Sequence, residues 1–153
     1  MKTSYSLLFA LFLPLSSLWG QEQEDPTRWT PEDIIHTEYV RSPKVSPDQA
    51  KLLWSKKKGL KKKDKFVSQL YLTRLDLPKG DEYRTFQLTR GKHSNYGAVF
   101  SPDSEAIYFL SSREKGKKLW KLSLYGGEAE EVHTFENGIS SLKWLNDHTL
   151  ALV

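Results

Sequence analysis

The sequence predicts an all-β fold: a partial β-propeller of about two and a half four-stranded antiparallel blades, following a signal peptide and a short helix. Three observations predict it. From residue 44 onward, short apolar runs alternate with Gly, Pro, Asp and Asn, as in a chain of short strands. A phrase recurs: Val45-Ser46-Pro47-Asp48-Gln49-Ala50-Lys51-Leu52-Leu53-Trp54 matches Phe100-Ser101-Pro102-Asp103-Ser104-Glu105-Ala106-Ile107-Tyr108-Phe109, and a degenerate third copy starts at Trp144. The spacing is 55 residues from Pro47 to Pro102 and 44 from Pro102 to Asn146, close to the blade period of roughly 40–50 residues.

The chain begins with Lys2, an apolar run over residues 7–15, and small residues Ser16, Ser17 and Gly20. That is the layout of a secretory signal peptide, assigned to residues 1–20. The run is far shorter than the roughly 20 residues of a membrane-spanning helix, so no span is expected after cleavage. The protein is expected to be exported, periplasmic or secreted. Residues 21–43 are assigned to an acidic tail and a short helix. Thr30 is placed to cap that helix, Pro31 suits its first position, and Glu32 and Asp33 favour its positive end. Arg41-Ser42-Pro43 is expected to end it. Residues 44–153 form the incomplete propeller domain.

Each blade is legible in outline. Leu70-Tyr71-Leu72-Thr73-Arg74-Leu75-Asp76 matches Leu119-Trp120-Lys121-Leu122-Ser123-Leu124-Tyr125, alternating as half-buried third strands do. Short fourth strands follow at Phe86-Gln87-Leu88-Thr89 and Glu131-Val132-His133-Thr134. The third blade is expected to stop inside its second strand, which reads as a fragment of a longer chain. The turns have a physical basis. Pro presets φ for the first central position of a type I turn, Ser suits the place before it and Asp the place after. Ser46-Pro47-Asp48 and Ser101-Pro102-Asp103 therefore reverse the chain after an inward apolar residue, Val45 or Phe100, and Asp147 holds the equivalent place in the third copy. Gly would be ideal in the fourth position, where Gln49 and Ser104 stand.

No catalytic, cofactor-binding or metal-ligating residue is assigned, and no cofactor is expected. With no cysteine, disulfides, Cys-based zinc sites and a bacterial lipoprotein anchor are excluded. A net charge of +4 is mild for a nucleic-acid binder, and none is expected as a partner. The lysine-rich run over residues 56–65 reads as a solvated loop between two strands, with no aromatics interleaved for base stacking. His36, His93, His133 and His148 show no metal-ligand spacing. Asp48, Asp103 and Asp147 recur once per blade, so each serves its own turn. Trp54, Tyr71, Phe100, Tyr108, Phe109, Trp120 and Trp144 read as blade-packing residues.

The Ser-Pro-Asp repeat before an aliphatic-aromatic strand resembles two groups, the TolB-like periplasmic propellers and the N-terminal propeller of the prolyl oligopeptidase family of serine peptidases. Trp29-Thr30-Pro31-Glu32-Asp33-Ile34-Ile35 followed by Val45-Ser46-Pro47-Asp48 looks like the opening of acylaminoacyl-peptidase-like and dipeptidyl-peptidase-like members. Leu88-Thr89-Arg90-Gly91 and Phe109-Leu110-Ser111-Ser112-Arg113 match further family phrases. The resemblance implies a propeller that gates peptide access to a following α/β-hydrolase domain with a Gly-x-Ser-x-Gly nucleophile. Peptide substrates would be partners only through that domain, and this chain alone is expected to be inactive. The nearest string, Gly138-Ile139-Ser140-Ser141-Leu142, lacks the second Gly and sits at a strand start. Glu130-Glu131 does not match the paired glutamates of dipeptidyl-peptidase members, which lie in a helical insertion. The alternative is a TolB-like binding module without enzymatic activity.

Overall fold

The computed structural model describes residues 28–60, 65–114, 117–136 and 138–153. The expected signal peptide and the acidic residues up to 27 lie outside the described residues.

The helix α1 (Pro31–His36) starts as its residues dictate. The Thr30 hydroxyl accepts the Asp33 N–H at 3.2 Å, and the Asp33 carboxylate reaches back to the Thr30 N–H at 2.8 Å. This capping box satisfies two donors that the first turn leaves unpaired. None of the helix residues is buried.

Three antiparallel sheets follow. The first is β1 (Tyr39–Val45), β2 (Lys51–Leu60), β3 (Lys65–Arg74) and β4 (Thr85–Gln87), in that spatial order. The second is β5 (Asn95–Phe100), β6 (Ala106–Ser111), β7 (Lys117–Ser123) and β8 (Glu130–Phe135), again in chain order. The third is the pair β9 (Leu142–Asn146) and β10 (Thr149–Leu152). Two four-stranded meanders and two strands of a third make a partial β-propeller, the fold expected.

The fourth strand of the first blade ends at Gln87, before the expected Leu88 and Thr89, the third strands end two residues early, at Arg74 and Ser123, and two larger differences lie in the first blade. The first strand begins at Tyr39, so it runs through Arg41-Ser42-Pro43, which the sequence placed in the tail. The register shifts between Arg41 and Lys44, and Ser42 is left-handed at φ 53°. Pro43 therefore falls in a bulge on the blade's first strand, where its missing N–H breaks no ladder bond. The described part of the lysine run is likewise strand rather than loop, and residues 61–64 lie outside the described residues. β2 continues to Leu60, pairing Lys58 with Val67 and Gly59 with Phe66. Lys57 Nζ lies 4.6 Å from the Phe66 ring centroid and Lys56 Nζ 5.6 Å from that of Tyr71, so the long side chains cover apolar rings while the charges reach water. Gly59 has a specific use: a Cβ there would meet the Ile35 carbonyl oxygen at 2.8 Å, so glycine lets α1 lie against β2.

The core lies between the sheets. Leu53, Leu70 and Leu72 of the first blade meet Phe100, Ile107, Phe109 and Trp120 of the second. The opposite face of the second blade, with Val99, Leu110 and Leu119, packs on Ile139 and Leu142. β6 is covered on both sides, which explains its unbroken apolar run Ala-Ile-Tyr-Phe-Leu. Val45 was expected to point inward, but it is 55% exposed where Phe100 is 5% exposed. The reason lies in its neighbours. Val45 pairs with Leu52 as Phe100 pairs with Ile107, and no described element covers that face of the first blade. There Trp54 and Tyr71 shield each other by stacking at 4.6 Å, and Trp54 Nε1 donates to the Thr73 hydroxyl at 3.0 Å.

Candidate functional site

The two Ser-Pro-Asp turns are built identically, and the serine is their hub. Ser46 and Ser101 are buried. Each hydroxyl donates to the aspartate two residues on, Asp48 or Asp103. Each also accepts a backbone N–H across the hairpin, from Lys51 and Ala106, both at 2.9 Å. Each aspartate in turn accepts the N–H two residues beyond, Ala50 and Glu105, both at 3.0 Å. Pro47 and Pro102 fix the bend between. The turn closes when Gln49 N–H meets the Ser46 carbonyl at 2.9 Å and Ser104 N–H meets that of Ser101 at 3.0 Å.

The fourth position is left-handed in both turns, φ 59° at Gln49 and φ 62° at Ser104, as the preference for Gly there implied. Ser104 has a compensating contact. The Asp48 N–H donates to its hydroxyl at 3.1 Å, so the second turn clasps the first across the blade boundary. A glycine would relax the backbone and lose the clasp. In the third copy the expected role of Asp147 passes to its neighbour. The Asn146 side chain accepts the His148 N–H at 2.9 Å, while Asp147 sits at the exposed tip. Asn146 pairs directly with Thr149, so this turn is shorter and its anchoring oxygen stands one residue earlier.

The turn carboxylates titrate low. The Lys51 ammonium, then the Ser46 hydroxyl and the Ala50 N–H, pull Asp48 down to about 2. The Ser101 hydroxyl and the Glu105 N–H hold Asp103 below the usual carboxylate range. Both folded values lie below the unfolded value, so this stabilisation is complete above about pH 4 and fades as pH falls from there through the folded values. Between pH 6 and pH 3 the melting temperature should fall for the parent chain and fall less for Asp48→Asn/Asp103→Asn. Asp33, Asp76 and Glu131, also held low, keep part of the acid sensitivity in the variant. Thermal melts by circular dichroism across that range check this; equal slopes would contradict it.

Sequence reasoning missed the polar joint between the first two blades. Gln69 is 3% exposed and fully satisfied. Its Nε2 donates to the Gly91 carbonyl at 3.1 Å and the His93 carbonyl at 2.8 Å. Its Oε1 accepts the Thr89 hydroxyl at 2.8 Å and the Asn95 amide at 3.0 Å. The Thr89 hydroxyl also accepts the Leu70 N–H at 2.9 Å. One β3 side chain thus holds the linker between blades and the first residue of β5. The phrase Leu88-Thr89-Arg90-Gly91 carries a resemblance in the sequence but does not point to Gln69.

The other candidates stay apart. Ser140 of the glycine-serine string donates to the Val153 carbonyl at 2.9 Å, and Ile139 beside it is buried in the core. The His93 ring meets the Ser112 carbonyl at 3.0 Å, and His133 packs edge-on against Phe135. Glu131 pairs with Lys118 at 2.7 Å on the outer strand β8. Among the described residues no three acidic or histidine side chains gather where a metal ion could sit, and no helix is long and apolar enough to cross a membrane. Arg113 lies over the Trp120 ring at 4.2 Å and donates to the Asn95 side-chain oxygen at 3.4 Å. Grooves run between the blades. One polar groove, of about 430 Å³, runs along the first strands of the blades and ends at residues 140–142.

The chain aligns with an acylaminoacyl peptidase of Pyrococcus horikoshii over 72% of its length at 18% identity, TM-score 0.57. An acylaminoacyl peptidase in complex with Z-Gly-Gly-Phe-chloromethyl ketone aligns over 78% at 18% identity, TM-score 0.62. The apo AtxE2 isopeptidase aligns over 81% at 16% identity, TM-score 0.61, and a TolB-type protein from Agrobacterium tumefaciens over 69% at 24%, TM-score 0.50. The chain spans 16% and 17% of the two acylaminoacyl peptidases, 23% of the isopeptidase and 34% of the TolB-type chain. The class that fold and turns define is a propeller segment, structurally similar to part of these peptidase and TolB-type chains. No family model and no curated protein matches the sequence.

Proposed function

We propose that this chain is the propeller portion of an exported serine peptidase of the prolyl oligopeptidase family, acylaminoacyl-peptidase-like, in which it restricts access of peptides to an α/β-hydrolase domain. One observation carries the reading. The sequence phrase that opens such propellers, residues 29–35, folds here as a capped helix leading into serine-hubbed blades, and those blades align with segments of two acylaminoacyl peptidases. In this reading the nucleophile, its acid and its histidine belong to the hydrolase domain, and this chain contributes selection by size. The residues at 1–20 would direct export. A second reading, a TolB-like binding module, is favoured by the 24% identity to the TolB-type protein and the larger share of that chain covered.

The reading frame in the source transcript separates the two. Further blades followed by a Gly-x-Ser-x-Gly segment, with hydrolysis of short blocked peptides by the expressed product, support the peptidase. Further Ser-Pro-Asp repeats and a stop codon support the binding module. A stop directly after the Val153 codon, with neither remnant downstream, contradicts both.

A further inference from the structure

The polar groove along the first strands of the blades is built by a device that repeats. In each complete blade the first strand carries a bulge, with its left-handed residue four places before the turn serine: Ser42 at φ 53° and Gly97 at φ 62°. In β1 the bulge decides which side chains share a face. Arg41 stands opposite Ser55. Simple alternation would next place residue 43 opposite Leu53, but the extra residue puts Lys44 there. Ser55 and Lys57 lie on the same face of β2 by its period of two, so Arg41, Lys44 and Lys57 converge on one side of the sheet. From the other side the second blade brings Tyr96, and the third brings Ser140.

The charge is one-sided. Among the described residues no carboxylate lines the groove. Among the described residues Lys51, Lys56, Arg74 and Lys118 each meet an aspartate or glutamate, whereas Arg41, Lys44 and Lys57 meet no described carboxylate. Burial pushes the Lys44 ammonium below its ordinary range, and no acid offsets that loss of hydration. Three cations on one face present a positive potential to a small oxyanion, while the Ser55 and Ser140 hydroxyls donate to the Arg41 and Val153 carbonyls and leave the anion to the cations. The groove volume lies in the range of small-ligand sites, about 300–1,000 Å³.

We infer that this groove binds the carboxylate of a short peptide, with Arg41 and Lys44 as its principal partners. That the carboxylate belongs to a peptide rests on the peptidase reading above; the carboxylate site itself rests on the groove.

Calorimetric titration of the full chain tests it. Ala-Ala-Ala as the free acid should bind at least 10-fold more tightly than its C-terminal amide, and added salt should weaken the acid alone. Lys44→Met and Arg41→Met should each weaken binding of the acid at least 5-fold at unchanged melting temperature. Arg41 is exposed, so its variant folds even where Lys44→Met does not. Acetyl-Ala-Asp-Ala-amide distinguishes the source: binding matching the free acid assigns the contact to any peptide carboxylate, and binding matching the amide assigns it to the chain terminus. Equal binding of acid and amide, or full binding by both variants, overturns the proposal. Inorganic phosphate binding as tightly as the free acid overturns the carboxylate assignment. If the acid binds and the reading frame lacks a hydrolase segment, the peptidase reading fails and the carboxylate site stands.

Discussion

Replacing Phe109 with alanine should destabilise the chain by about 3–5 kcal/mol, read from the midpoint of urea unfolding. Phe109 is 0% exposed at the centre of β6. It faces the leucines of the first blade and stands beside Trp120 on β7, its pairing partner. Its ring fills the space between two sheets whose backbones are fixed by their own ladders, so the cavity left by alanine cannot close by collapse. The loss would then combine the transfer of the ring with an unfilled void. The equivalent position on the first blade, Trp54, faces no packed sheet, and Trp54→Ala should cost much less. Comparable losses at the two sites would contradict the assignment of the core to the face between the blades.

Gln69→Leu should cost a similar amount, about 3–5 kcal/mol, by a different mechanism. Leucine fits the volume but offers no polar atom. The Asn95 amide and the carbonyls of Gly91 and His93 would each lose a bond, and the Thr89 hydroxyl would lose its acceptor. Each buried group left without a partner costs about 1–3 kcal/mol, partly relieved where water enters from the exposed linker. The variant should unfold at lower urea with a changed m-value if the blades then separate before either melts. An unchanged midpoint would show that the joint is solvated in the folded chain.

These two positions differ in how they could be found. Phe109 lies inside the repeated phrase, and a run of apolar residues covering both faces of a strand is a local pattern. Gln69 is invisible to such reading, because its partners lie 20–26 residues away and two of them are backbone carbonyls. The Ser-Pro-Asp turns were legible because their bonds span five residues or fewer; the clasp between Asp48 and Ser104 spans 56. Val45 was misplaced for a related reason. The alternation of a strand gives its two faces but not which face has a neighbour. In the first strand, Ser42-Pro43 read as a helix stop. The bulge there has a sequence signal only in the second copy, where Gly97 takes the left-handed place. Composition misled at the lysine run, since like charges imply a loop only where no aromatic face lies beneath their stems. The basic groove was hidden in turn, because the bulge that gathers Arg41 and Lys44 could not be foreseen.

The account holds the first two blades to be one unit, joined by the core around Phe109, the Gln69 joint and the clasp between turns. Native-state hydrogen exchange tests this most directly. The amides of β3 in the first blade and of β6 in the second should exchange with the same free energy and respond together to added denaturant. Exchange of β3 through an opening that leaves β6 protected would contradict it.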